Sequence, residues 1–147
     1  MNVKIKLLNE NAVIPTRGSE YAAGYDVAAA LNPNEPMELA PHSITKVPTG
    51  LAFEIPEGYF LAIQSRSGLA TKKGLRVSQG TGILDADYRG ELYVPLTNDS
   101  EYWYTLEPGT RIAQIILQKF DIMDFQVVDE LETTERGEGG FGSTGTN

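Results

Sequence analysis

Hydrophobic and polar positions alternate in short runs along most of this chain. Val3-Lys4-Ile5-Lys6-Leu7 alternates residue by residue, and the same period recurs in parts of 43–47, 51–55 and 59–63. Further β-branched and aromatic runs lie at 91–96, 102–106, 111–120 and 125–128. A period of two puts the apolar side chains on one face of a strand. Eight prolines and fifteen glycines interrupt the pattern and leave almost no room for a long helix. The one helix predicted is short, over 67–72, with Gly74 as its C-cap. Short strands separated by turn signals predict an all-β sandwich, barrel or jelly roll.

The pattern changes near the C-terminus. Residues 129–135 are acidic and polar, and 137–147 (GEGGFGSTGTN) hold five glycines around a single aromatic, Phe141. Such a stretch cannot bury enough apolar surface to fold alone. A ring set in backbone that can approach anything closely nevertheless suits the covering of a flat ligand.

Composition narrows the classes of function. A chain of 147 residues fits one domain and needs no staple to hold a core. It has no cysteine, which excludes a disulfide framework, a thiolate zinc site and a cysteine nucleophile. Twelve basic against twenty acidic residues give a net charge of −8, which argues against direct nucleic-acid or anionic-membrane binding. Apolar stretches are too short to span a bilayer. MNVKIKLLNE has no long apolar segment or small-residue cleavage site, so the expected location is cytoplasmic. Walker A, Gly-x-Ser-x-Gly, HExxH and CxxC patterns are all absent, which argues against those nucleotide, hydrolase and metal chemistries.

Three stretches carry candidate chemistry. In Gln64-Ser65-Arg66-Ser67-Gly68-Leu69-Ala70, Ser67 either caps the helix or joins Arg66 and Gly68 in holding an anion. Lys72, Lys73 and Arg76 follow closely, a local concentration of cations in an acidic chain. Gly80 to Gly90 reads as a hairpin with an Asp85-Ala86-Asp87 tip. Its aspartates are either solvated turn residues or, for Asp85, a base toward water with Tyr88 packed on a sugar or base. Asp26 sits in an otherwise apolar strand, either hydrogen-bonded as structure or near a metal. Arg111 reads as half of a structural ion pair and His42 as an exposed loop residue.

In order along the chain, AGYDVAA, SRSGLA, GILDADYRG, GTRIAQII and RGEGGFGSTG run from Ala23 to Gly145. Together they resemble the five spaced motifs of the trimeric dUTP pyrophosphatases (dUTPases). The resemblance implies a distorted jelly-roll β-barrel with one short helix, a core over 1–130 and a mobile arm over 131–147. It implies a homotrimer with active sites shared between subunits. The implied reaction is hydrolysis of dUTP to dUMP and pyrophosphate with Mg2+ as cofactor, lowering dUTP and supplying the dTMP precursor.

Residue by residue, the resemblance makes Asp85 the group that orients and deprotonates the attacking water, and Tyr88 the ring under the deoxyribose. Gln79, Gly82, Ile83, Leu84 and Tyr93 would read the uracil edge. Arg66, Ser67, Gly68 and Gln114 match phosphate positions from a neighbouring subunit. Asp26 matches a carboxylate that holds the metal through water. Arg136, Phe141, Gly142 and Ser143 match the arm that closes over the nucleotide from a third chain. Thr110 stands where the family usually has Asp, Gln79 where it has Asn, Leu84 where it has Ile, and Ser65 where Pro is frequent. The related dCTP deaminases share the barrel but leave the Asp85–Tyr88 stretch and the arm unexplained. A purely protein-binding relative would not need intact catalytic residues.

Overall fold

The architecture was obtained as a computed structural model, which describes residues 1–140. Twelve strands and one helix follow in chain order. They are β1 (Lys4–Leu7), β2 (Thr16–Arg17), β3 (Tyr25–Ala28), β4 (Met37–Leu39), β5 (Ile44–Pro48), β6 (Leu51–Glu54) and β7 (Tyr59–Ser65). After these come α1 (Ser67–Lys73), β8 (Leu75–Val77), β9 (Thr81–Leu84), β10 (Tyr93–Asn98), β11 (Tyr104–Leu106) and β12 (Arg111–Lys119). The all-β expectation of a jelly-roll type with one short helix holds. The strands are shared among four hydrogen-bonded sheets rather than one closed barrel: β1-β6, β5-β10-β8, β11-β4 and β2-β3-β12-β7-β9.

One core serves all four sheets. Val27, Val47, Leu51, Leu75, Val77, Val94, Leu96, Leu106 and Ile112 are all but sealed from solvent. The longest strand, β12, lies between β3 and β7. A bulge breaks its register with β3, so that Arg111 opposes Ala28 while Ala113 opposes Val27. The extra residue is Ile112, which goes into the core. Without the bulge Arg111 would face the opposite side; with it, Arg111 shares the face of Ala28 and Asp26.

The helix starts where expected and runs one residue further. Gly74 adopts φ 67° and its N–H donates to the Leu69 carbonyl, a left-handed C-cap that other residues reach only with strain. Two expectations are corrected. Gly80 to Gly90 is not a two-stranded hairpin: β9 pairs with β7, β10 pairs with β5 and β8, and a turn joins them. Residues 125–128 form no strand, because no partner strand runs beside them; Phe125 and Val127 are exposed. Past Lys119 the described chain holds no strand or helix. Among the described residues, no helix is long and apolar enough to cross a membrane.

Asn98, at the end of β10, is buried. Its Nδ2 donates to the Leu39 and Tyr102 carbonyls at 3.1 and 2.8 Å. Its Oδ1 accepts the Ser100 N–H and Oγ–H. Asn98→Ala leaves these buried groups without partners, so denaturant unfolding is expected to show a loss of about 2–4 kcal/mol. An unchanged midpoint would mean that the loop after β10 is not held in this way.

Candidate active site

The nominated residues fall into two groups on the chain, one charged and one a pocket. The charged group gathers on Asp26 of β3, whose side chain is 14% exposed. Arg66, just before α1, donates from Nε to Asp26 Oδ1 at 3.0 Å. Arg111, turned to this face by the bulge, donates from its guanidinium to Oδ2 at 2.9 Å. Arg66 also donates to the Arg111 carbonyl at 3.0 Å, which closes a ring of one carboxylate and two guanidiniums. The structure therefore assigns Asp26 a hydrogen-bonded place and gives Arg111 the ion pair the sequence led us to expect. His42 is exposed and lies 3.1 Å from Glu101.

Ser67 is the first helical residue and not the cap; Arg66 occupies the cap position, with no side-chain cap bond. The N–H groups of Ser67 and Gly68 therefore face outward, since the first turn of a helix has no internal acceptors for them. Gln114 lies beside Asp26 on β12 and donates to the Ser65 carbonyl at 3.2 Å. A Cβ on Gly24 would run into Gln114 Oε1, so glycine leaves room for that side chain.

Register extends this group across the sheet. Thr16, Asp26, Gln114, Gln64 and Thr81 stand opposite one another on successive strands. Opposed residues share a face, so the five form a polar row. Gln64 and Thr81 close its far end with a 2.8 Å hydrogen bond. Sequence reading missed both, because neither carries charge and only strand register brings them to Asp26. From Asp26 to Thr81 is three inter-strand steps, about 14 Å.

At that far end lies the second group. A cavity of about 260 Å³ is lined by Gln79, Gly82, Ile83, Leu84, Asp85, Tyr88 and Tyr93, with Lys46, Ile63, Glu91, Leu92 and Pro95. The five residues nominated from 80–90 thus meet in one pocket with Gln79 and Tyr93, nominated from either side of it. Gly82 lies against Ile63 so closely that a Cβ would reach its Cδ1 at 3.0 Å. Asp85 is exposed at the rim, and its carbonyl accepts the Tyr88 N–H. Tyr88 folds back so that its hydroxyl donates to the Glu91 carbonyl at 3.1 Å. A Cβ on Gly90 would collide with that hydroxyl, so the glycine fixes where the ring can lie.

Two further lining groups had no sequence signal. Lys46 Nζ sits 3.9 Å from the Tyr93 ring centre, a cation–π contact between strands far apart in sequence. Glu91 accepts the Gly50 N–H at 2.8 Å. Its carboxylate, hydrogen-bonded to the Tyr93 phenol, holds that phenol above the usual tyrosine range.

Of the arm residues only Arg136 is described, and it joins neither group. Arg136 donates to the Gly139 carbonyl at 2.7 Å, while Phe141, Gly142 and Ser143 lie outside the described residues. Among the described residues no cluster of three or more His, Asp, Glu or Cys could hold a metal. Both Asp26 oxygens are engaged by arginines, yet each keeps a lone pair that can accept from water. The residues present therefore fit Mg2+ held through water and substrate oxygens, as that ion is commonly bound, and not an all-protein cage.

The dUTPase family model matches residues 10–145. A deoxyuridine 5'-triphosphate nucleotidohydrolase of Yarrowia lipolytica is 48% identical over 149 residues, covering 100% of this chain and 91% of that protein. One from Oryza sativa subsp. japonica is 46% identical over 143 residues, covering 97% and 80%. The dUTPase of Staphylococcus bacteriophage 80alpha with dUpNHpp superposes with a TM-score of 0.87 at 32% identity, covering 99% of each chain. A mutant dUTPase from phage phi11 of S. aureus, described with a structural Mg(II) ion, gives 0.80 at 27% identity, covering 90% and 100%.

Asp26→Ala leaves two guanidiniums facing each other with nothing between them. Denaturant unfolding is expected to show a loss of about 1–3 kcal/mol, larger than for Arg111→Ala, which keeps the Arg66–Asp26 bond. Equal losses in the two variants would mean that the carboxylate does not organise the pair.

Proposed function

The chain belongs to the dUTPase family and is a dUTP nucleotidohydrolase; we propose that its pocket takes the deoxyuridine while its arginine corner serves the phosphates. The observation that carries this reading is the pocket itself. It gathers five residues nominated from one motif, Gly82, Ile83, Leu84, Asp85 and Tyr88, with Gln79 and Tyr93 from either side of it. Backbone around Gln79, Gly82, Ile83, Leu84 and Tyr93 reads the uracil. Tyr88 lies under the deoxyribose, where a 2′-hydroxyl would clash. A filter of shape and unpaired polar groups discriminates well when a substrate group is missing or added at a built contact.

Asp85 at the rim takes a proton from water as the water oxygen bonds to the α-phosphorus. The bond from that phosphorus to the bridging oxygen breaks, and pyrophosphate leaves. Such transfer asks the protein mainly for alignment and charge stabilisation. Arg66, Ser67, Gly68 and Gln114 hold phosphate oxygens through charged and neutral donors. Mg2+, when bound, would neutralise charge on the triphosphate, and Asp26 would hold it through water.

Two features support a homotrimer with shared sites. None of Arg66, Ser67, Gly68 and Gln114 lines the nucleoside pocket, so a neighbouring copy can bring its corner to this pocket. The segment after β12 exposes Ile122, Phe125 and Val127 at 89%, 87% and 97%, apolar surface that a second copy would cover. Residues 1–130 are then the core, and 131–147 the arm that brings Arg136, Phe141, Gly142 and Ser143 over the nucleotide. Ordering that arm costs backbone entropy of about 1–2 kcal/mol per residue, so it closes only when several contacts form together.

Three outcomes test the reading by pyrophosphate release. In a nucleotide panel with and without EDTA, dUTP is expected to exceed UTP, dCTP and dTTP widely in kcat/KM; comparable turnover of UTP would remove the role given to Tyr88. Asp85→Asn is expected to lower kcat by about 10²–10⁴ with little change in substrate affinity; near-normal kcat would make Asp85 a bystander. Truncation after Glu135 should abolish most turnover while melting temperature and oligomer size stay as in the full chain. A large drop in melting temperature would make the arm structural.

A further inference from the structure

At the other end of α1 lies a surface that the reaction does not use. The last turn of the helix, Lys72 and Lys73, and the loop after β10 enclose a groove of about 420 Å³. Tyr102 and Trp103 line it and are 79% and 66% exposed. The loop is rigid, since Asn98 and Ser100 fix its backbone and the Asp99 N–H donates to the Gly74 carbonyl at 2.8 Å. Neither lysine has an ion-pair partner among the described residues. A preformed aromatic wall beside two unpaired cations fits a segment with an apolar side chain flanked by acids.

The chain carries such a segment. Asp129-Glu130-Leu131-Glu132 sets one leucine, 85% exposed, among three carboxylates, with no ion pair among the described residues. Resting on the reading that the arm of one copy closes over another's site, we propose that residues 129–132 of a neighbouring copy dock here. Leu131 packs against Trp103 and Tyr102, and Glu130 and Glu132 face Lys72 and Lys73. Reach agrees: α1 is about 10 Å long, and the five residues from Leu131 to Arg136 span at most about 17 Å. A segment seated at the C-terminal end of α1 therefore delivers Arg136 to Ser67 and Gly68 at its N-terminal end. Docking fixes the base of the arm, and less of it remains to be ordered at each closure.

Trp103 is the only tryptophan in the chain, so its fluorescence reads the groove alone. Acrylamide quenching of Trp103 is compared in the full chain, a chain ending at Glu135 and one ending at Val128. The first two are expected to quench alike, and the third about two-fold more strongly as the cover is lost. E130K/E132K in the full chain should expose Trp103 in the same way, and adding K72E/K73E should restore protection. Chains ending at Val128, mixed with full-length Trp103→Phe chains, should regain protection in mixed oligomers, because the cover comes from another copy. Equal quenching of all three lengths, or no rescue by the charge exchange, would overturn the docking. Turnover is measured in parallel: full activity in the chain ending at Glu135 would sink the arm's catalytic role, while quenching still decides the groove.

Discussion

One carboxylate held between two guanidiniums organises the charged half of this molecule. Asp26 is mostly buried in a strand whose other residues are apolar, and an unpaired charge there would cost several kcal/mol. The strand pair resolves this through the bulge in β12, which moves Ile112 into the core and Arg111 to the face of Asp26. Arg66 then completes the ring from the end of β7. The start of α1 is fixed by the same contact, because Arg66 is its cap residue. A corner built in this way is fixed by its own hydrogen bonds, as the proposed stabilisation of developing charge requires.

The polar row from Thr16 to Thr81 runs from that corner to β9, the strand that carries Gly82 and Ile83 of the pocket. Its geometry sets a constraint on function. None of the corner residues Asp26, Arg66, Ser67, Gly68, Arg111 and Gln114 lines the pocket. On the proposed sharing between copies, the exposed apolar stretch after Lys119 is surface that a neighbouring copy would cover. The same proposal would give the helix two roles, phosphate contact at one end and an anchorage for the arm at the other.

Much of this was legible in the sequence. Alternation found most strands, because one-sided burial writes its period into the chain, and Gly74 marked the end of the helix. Thr16–Arg17, Met37–Leu39 and Leu75–Val77 escaped, being too short to show a period. Residues 125–128 alternate as a strand does, yet a strand exists only where a partner accepts its hydrogen bonds, and a single chain supplies none. The family resemblance nominated the pocket residues, but the bulge, Gln64 and Thr81, and the Lys46–Tyr93 contact depend on register between distant strands. Ser65 shows how a departure is absorbed: its hydroxyl accepts the Val77 N–H at 2.9 Å, a tie from β7 to β8 that proline could not make.

The most direct test of the shared site mixes two inactive variants. Asp85→Asn chains keep an intact corner, and Arg66→Ala chains keep an intact pocket base. Unfolded together and refolded at equal amounts, they should recover dUTP hydrolysis at about a quarter of all sites, one in each mixed trimer, where an intact pocket from one copy meets an intact corner from another. Mixed trimers as inactive as either parent would mean that corner and pocket serve one another within a single chain, which contradicts a site shared between copies.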